Sequence, residues 1–589
     1  MIPDAGRARP ARAASLAGIA VAFVVGVDAV RWVRPALLID PDPAWSIPRL
    51  LLGLFVIGAA AGAGGLTAAI FLLLARRISG RFSPVPLPLR GGTLAAVAVA
   101  AIGLGTLARF VALERLPPSL WIDDISLIAP ALELKGVPGD FANSVRPAPY
   151  GVPKTYGSVG VLYLELYRGA LLLFGTTVFG VRFVSAAAGV ASLFTALALG
   201  RALLPAGGGT LAALILAGLR WNLLLSRWGW NAVVLAPIAD VAVLLLLRAR
   251  RRDGLALALV SGAIAGLGAH IYLAAWIVAA ALLLLAAWPG SEGPARPRAA
   301  LALLFAAGFA CAAAPIFLLR EGREASYFAR ASDHSLLAEI RYMHSAMPAF
   351  AAAADSMAAP WFKEDPFRHH DLPGKTRLGW ILGLPVAAAL ARSLLRPREE
   401  FSAYLLSQAG AALAGSVAGG HAGVPNGYRF GYLASVTAVA AAGGVLCLLA
   451  LLPPTRRRTG AVAAVGLLAV SGALGARDAL VIWPERQETF DGFHGQDTLI
   501  ARAALRWERY GTVEVAPDIG HSEITIGGIR RYRLDPDLPK EASPARRGRI
   551  FRIAKPGEAS RAGERVVERV CDAWGRDWAV VIGRPGGGS

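Results

Sequence analysis

The sequence predicts a polytopic α-helical membrane protein that ends in a small soluble α/β domain. Three observations carry that expectation. Of 589 residues, 55% are hydrophobic and 17% charged, with a mean hydropathy of +0.52; a soluble domain carries more charge and shorter apolar runs. The apolar residues fall in runs of about 20, the number a helix needs to cross a hydrocarbon core. The basic residues gather between those runs, as they do in loops on the cytoplasmic side.

In chain order, spans are expected near 14–33, 50–75, 92–112, 181–203, 209–226, 231–248, 254–269, 271–288, 299–319, 377–395, 401–419, 430–452 and 460–476, about 13 in all. Arg7, Arg9 and Arg12 precede the first run. No small-residue cleavage site leads from it into a soluble domain, so an uncleaved first span is expected. The segment 158–175 is apolar but interrupted by Glu165 and Arg168, and can either cross or lie in the interface.

The basic clusters choose between these. With the N-terminus inside, Arg76, Arg77, Arg81 and Arg90 fall inside and the loop 113–157 outside. If 158–175 only lies on the surface, Arg248, Arg250, Arg251, Arg252, Arg296, Arg298, Arg396, Arg398, Arg456, Arg457 and Arg458 also fall inside; if it crosses, all of them move out. The positive-inside bias therefore predicts an interfacial helix. It also places the long loops 113–180 and 320–376 and the tail 477–589 on the outer side of a plasma membrane.

The expected organisation is two extra helices in 1–90, a membrane core in 91–476 and a soluble α/β domain in 477–589. In that tail, strands are expected at 512–515, 523–526, 549–553 and 578–582, and helices over 496–509 and 558–574. It has no CxxC, P-loop or GxGxxG pattern. The net charge of +20 is accounted for by inner loops, so no nucleic-acid partner is implied. Cys311 and Cys447 lie in apolar runs and Cys571 in the tail, which gives no disulfide framework.

Chemistry is expected at Asp123 and Asp124, adjacent carboxylates after Pro117-Pro118 at the membrane surface. A carboxylate there can take the proton of an acceptor hydroxyl, and two neighbours raise the apparent pKa of the pair. The same two acids also suit the first turn of a helix, where the dipole favours them. Both readings stand on the pair alone. His369 and His370 with Asp365 and Asp371 suggest a metal site, but adjacent histidines do not readily share one helix face and a third fixed ligand is missing. No metal is expected.

Pro117-Pro118-Ser119-Leu120-Trp121-Ile122-Asp123-Asp124 resembles the first outer loop of GT-C glycosyltransferases that use polyprenyl-phosphate sugars, such as protein O-mannosyltransferases and lipid A aminoarabinose transferases (the glycosyltransferase family 39 type). Their pattern ends Asp-Glu; this one ends Asp-Asp. Further matches follow in the same order: Gly180 to Ser185, Ser226 to Asn231, Gly268 to Tyr272, Asp365 to Gly374 and Pro425 to Arg429. The likeness covers roughly 92–476.

The resemblance implies an inverting glycosyltransferase with Asp123 as general base and Asp124 assisting it or binding acceptor. It implies cations for the donor phosphate at Arg429, Arg227, Lys154 and Arg146. Sugar or acceptor contacts are implied at Tyr150, Tyr156, His270, Tyr272, Asn426 and His369. The donor would be a polyprenyl-phosphate-linked sugar, the acceptor a protein, lipid or polysaccharide, and no cofactor is obligatory. The competing expectation is a transporter or flippase of cell-envelope precursors, which calls for charged residues within spans and an internal repeat.

Overall fold

The computed structural model describes residues 83–134, 145–146, 159–251, 254–289, 298–318, 361, 370–418, 430–516, 519, 523–537, 550–557 and 564–584. The expected spans at 14–33 and 50–75 lie outside these residues, as do much of the loop 113–157 and nearly all of 320–369.

Helix α1 (Gly91–Phe110) runs into a loop that carries two five-residue helices, α2 (Ile122–Ser126) and α3 (Ile128–Leu132). A two-residue ladder pairs β1 (Val145–Arg146) with β2 (Val159–Gly160) in antiparallel register. Next come α4 (Val161–Phe174), α5 (Val178–Leu203), α6 (Gly208–Gly218) and α7 (Arg220–Leu225). A 3₁₀ turn at Asn231–Val233 leads into α8 (Leu235–Arg251). After it come α9 (Leu255–Ala269), α10 (Ala275–Ala287) and α11 (Arg298–Ala313). Then follow α12 (Gly379–Leu395), α13 (Glu400–Ala418), α14 (Leu433–Ala450) and α15 (Pro454–Arg477).

Among the described residues, five helices are long and apolar enough to cross a membrane: Gly91–Phe110, Val178–Leu203, Asn231–Arg251, Leu433–Ala450 and Pro454–Ile482. The pair at Gly379–Leu395 and Glu400–Ser416 passes only jointly and is bent by 109°. The apolar runs expected as spans at 209–226, 254–269, 271–288 and 299–319 form helices of 11, 15, 13 and 16 residues. At about 1.5 Å per residue each is shorter than the roughly 30 Å core. Broken helices are tolerated where neighbours, not lipid, surround them, and α6 shows this: nine of its eleven residues are buried. Helix α4, the ambiguous segment, has 14 residues, about 21 Å, too short to cross that core unaided.

Beyond α15 a π turn (Asp478–Ile482) leads to α16 (Gln487–Gly492) and α17 (Gly495–Trp507). The sheet that follows has the order β3-β4-β6-β5, from β3 (Thr512–Val515), β4 (Ile550–Ala554), β5 (Arg565–Cys571) and β6 (Asp577–Arg584). β3 runs parallel to β4, and the other two pairings are antiparallel.

Two expectations for the tail are corrected. Residues 523–526 lie in helix α18 (Glu523–Tyr532), not in a strand. Ile526 and Ile529 are both buried, and that three-residue spacing is helical. The predicted helix over 558–574 is, in its described part, strand β5. Its pairing with β6 slips between Val566 and Glu568 and again between Val570 and Cys571. Bulges of this kind erase the period of two that marks a strand.

One apolar cluster fills the helical bundle. A second joins Leu120, Ile125, Ile128, Tyr163, Tyr167 and Val181 to Ile500, Ala504, Ile529, Phe551 and Val581. The loop after α1 and the C-terminal sheet therefore share a core.

Candidate active site

Helix α2 has five residues and cannot persist alone, because nucleating a helix fixes several dihedrals for a single bond. Its neighbours hold it. Asp124, at the third helical position, accepts the N–H of Trp121 on Oδ2 at 3.2 Å, half of a capping box. Its Oδ1 accepts the N–H of Gly229 at 3.0 Å. A Cβ on Gly229 would lie 2.8 Å from Val181 O and 3.1 Å from that same oxygen, so only glycine lets the 226–231 turn come this close. The Tyr167 hydroxyl donates to Asp124 O at 2.6 Å, and that of Tyr163 to Gly229 O at 2.9 Å.

Two arginines fix the loop in front of it. Arg182 donates to the carbonyls of Leu113, Pro117 and Ser119 at 2.9, 3.0 and 2.7 Å. Arg227 donates to Ala108, Arg109, Val111 and Leu116 at 2.7, 3.2, 2.7 and 3.3 Å, closing the carbonyl end of α1 as cations do at helix C-termini. Burial, then the neighbouring Arg182, lowers the Arg227 guanidinium to about 10.

The two carboxylates are thereby placed in different surroundings. Asp124 is fully buried and both its oxygens are engaged by backbone. Burial lifts its pKa from 3.8 to about 6, against the opposing pull of Arg182 and the N–H groups of Trp121 and Gly229. Asp123 is half-buried, and its Oδ2 accepts the indole N–H of Trp121 at 2.8 Å. Asp123 is the member of the pair whose carboxylate is not enclosed.

Beside Asp123 stands an aromatic wall drawn from distant parts of the chain. The Trp121 ring stacks on His494 at 5.4 Å and 21° and meets Phe493 edge-on at 6.1 Å. Phe493 in turn packs on Trp228 and Trp483, each at 5.6 Å, and Trp228 on His370 at 5.6 Å. Below it, Arg220 grips Asp371 through two bonds of 2.7 and 3.1 Å and bonds Thr376 O at 2.8 Å. Lys375 pairs with Asp478 at 2.6 Å. This network ties residues 371–376 to α7 and to the end of α15.

The described residues place several of the expected site residues. Arg227 has both terminal nitrogens on carbonyls at and just beyond the end of α1. His270 is buried with Nε2 at 2.8 Å from Ala312 O, and its own carbonyl accepts from Leu162 and Tyr163 at the start of α4, which braces α4 against α11. Tyr272 is half-buried against both apolar clusters. Tyr150, Lys154, Tyr156, His369, Asn426 and Arg429 lie outside the described residues, as does the side chain of Arg146. Among the described residues no three His, Cys, Asp or Glu side chains are grouped to hold a metal ion. Sequence reasoning missed Trp121, Phe493 and His494; a tryptophan two residues before the acid was the only available signal.

No family model matches the chain, and comparison with curated proteins finds no relative. Solved structures align with it at low identity. One is ArnT from Cupriavidus metallidurans bound to undecaprenyl phosphate, with 12% identity, 84% of this chain and 98% of that one covered, and a TM-score of 0.46. Another is the archaeal oligosaccharyltransferase AglB from Archaeoglobus fulgidus in complex with an inhibitory peptide and a dolichol-phosphate, with 17% identity, 76% of this chain and 60% of that one covered, and a TM-score of 0.43. The likeness is one of outline.

The buried acid gives a pH prediction. A carboxyl whose folded-state pKa is raised contributes stability that is complete below its unfolded value and is lost as pH rises through the folded one. For Asp124 that window runs from 3.8 to about 6, and a shift of about two units corresponds to about 3 kcal/mol. Thermal unfolding of the detergent-solubilised protein should show that loss in the wild type and not in Asp124→Asn. Parallel pH curves for the two proteins would remove the assignment.

Proposed function

We propose that this chain is an inverting membrane glycosyltransferase that moves a sugar from a polyprenyl-phosphate donor to an acceptor hydroxyl at the outer membrane face. The observation that carries the reading is Asp123: a half-buried carboxylate on a short helix, oriented by an indole N–H, beside an aromatic wall. Polyprenyl donors are membrane lipids, and a carboxylate at the end of an apolar bundle can serve a lipid-borne donor and a hydroxyl acceptor alike.

In the proposed step the acceptor oxygen attacks the anomeric carbon while the bond from that carbon to the phosphate oxygen breaks. The hydroxyl proton passes to Asp123, and the leaving polyprenyl phosphate carries the negative charge. Fixed cations must stabilise that charge; Arg429, Lys154 and Arg146 are the candidates from the sequence. A single displacement inverts the anomeric centre. The reading needs no cofactor, keeps the protein in the plasma membrane with its N-terminus inside, and leaves protein, lipid and polysaccharide as acceptor classes.

The transporter reading has one observation in its favour. Asp240 is buried within α8, hydrogen-bonded to the Thr195 hydroxyl at 2.5 Å, and ionisable groups inside a bundle often mark a transport path. The discriminating experiment reconstitutes the protein in liposomes with synthetic polyprenyl-phosphate hexose and pentose donors labelled in the sugar. The expected result is conversion of one donor to polyprenyl phosphate with release or transfer of the label. Every donor remaining intact while label crosses the bilayer would favour the transporter.

A further inference from the structure

We propose that His494, in the segment that follows the last span, is a positioning residue for Asp123, acting through the Trp121 ring. The inference rests on reading Asp123 as the base. It extends that reading by making the C-terminal region part of the catalytic unit and not an appended module.

The chain of contacts is short. Asp123 Oδ2 takes its direction from the indole N–H of Trp121 at 2.8 Å, so the plane of the indole sets where the carboxylate points. That plane is fixed by His494, stacked on it at 5.4 Å and 21°, and by Phe493, edge-on at 6.1 Å and 86°. The backbone is bent to deliver the imidazole: His494 has φ 49, with ψ 49. That is the left-handed region, which a non-glycine residue adopts at a cost and which recurs where geometry serves function.

Independent contacts bring the same domain onto the same helix. The N–H of Leu120 donates to Thr498 Oγ1 at 3.3 Å, four residues along from His494. Ile125, at the far end of α2, packs on Gly528 of α18 so closely that a Cβ there would lie 2.2 Å from its Cγ2. The ion pair of Arg115 with Asp537 at 3.2 Å closes the outer edge. The helix that carries the carboxylate is thus held from one side by the bundle, through Gly229 and Tyr167, and from the other by the C-terminal domain. A base displaced by an ångström loses on the order of 100-fold in rate, so the side that fixes its direction matters as much as the side that anchors it.

Two substitutions at one position separate positioning from simple stability. His494→Asn accepts the left-handed backbone but has no ring, whereas His494→Phe keeps a ring and strains the backbone. The measurements are Tm and the kcat and KM for release of labelled sugar from the polyprenyl-phosphate donor that the wild type uses, all on the full chain in liposomes. The expected result is a kcat about 10- to 100-fold lower for His494→Asn with donor KM unchanged. His494→Phe should stay within about threefold of wild type although its Tm is the lower of the two. On an Asp123→Asn background, His494→Asn should cause no further loss.

A wild-type kcat for His494→Asn overturns the inference. So does a loss of the same size on the Asp123→Asn background, and so does a ranking of kcat that follows Tm. Wild-type turnover by Asp123→Asn alone overturns the reading of the base itself, a result separable from the others.

Discussion

Asp123→Asn is expected to lower the proposed sugar transfer by about 10²- to 10⁴-fold while leaving the fold and donor binding in place. The substitution is nearly isosteric. The amide oxygen can still accept the Trp121 N–H that Asp123 Oδ2 accepts at 2.8 Å, so the geometry of α2 is retained and only proton-accepting capacity is lost. The same change at Asp124 is different in kind. There both oxygens accept backbone N–H groups, and an amide would turn an NH₂ toward one of them, leaving two donors face to face. Asp124→Asn should therefore lower stability along with activity, whereas Asp123→Asn should lower activity alone. Turnover and Tm measured on both variants decide it. An Asp123→Asn protein that turns over donor at the wild-type rate would remove the base from the mechanism and leave the pair as a helix-start device.

The bundle was legible because its signal is local. Twenty apolar residues in a row announce a helix wherever they pack, and the expected span at 92–112 is the helix Gly91–Phe110. The helices that fell short of a span were hidden by the same composition. An apolar run does not record that Leu219 breaks α6 from α7. The carboxylate pair was legible as two adjacent acids but not as one buried and one half-buried group, because what engages Asp124 comes from Gly229, 105 residues on, and from the charge of Arg182. The aromatic wall was scattered further still, over Trp121, Trp228, His370 and Phe493, and no window of sequence contains it. In the tail, strand β5 was misread because its bulges let Val566, Val567 and Val570 fall at helical spacing. The positions most exposed to error were those fixed by distant partners, and the site is built almost wholly of such positions.

Arg182→Ala should be the most damaging single change outside the reacting groups, at about 3 to 5 kcal/mol of stability, the usual cost of removing one partner from a buried charged network. The guanidinium is fully buried near the N-terminal end of α5 and serves three carbonyls at once, those of Leu113, Pro117 and Ser119. Residues 113–119 form turns and bends, not a helix or strand. Those oxygens accordingly depend on the arginine, and each buried carbonyl left without a partner costs about 1 to 3 kcal/mol. The same cation opposes the burial cost of the Asp124 carboxylate, so its loss leaves that charge to the N–H groups of Trp121 and Gly229 alone. Arg182→Lys restores the charge but not the planar fork that spans three acceptors, and should fall between the two. Asp124 and Arg182 act on one loop, so the double variant Asp124→Ala/Arg182→Ala should cost less than the sum of its parts. Thermal unfolding in detergent, with limited proteolysis of the loop 113–134, reads all three. An Arg182→Ala protein that melts with the wild type and keeps that loop protected would mean that the bundle, not the arginine, holds Asp123 where the acceptor must meet it.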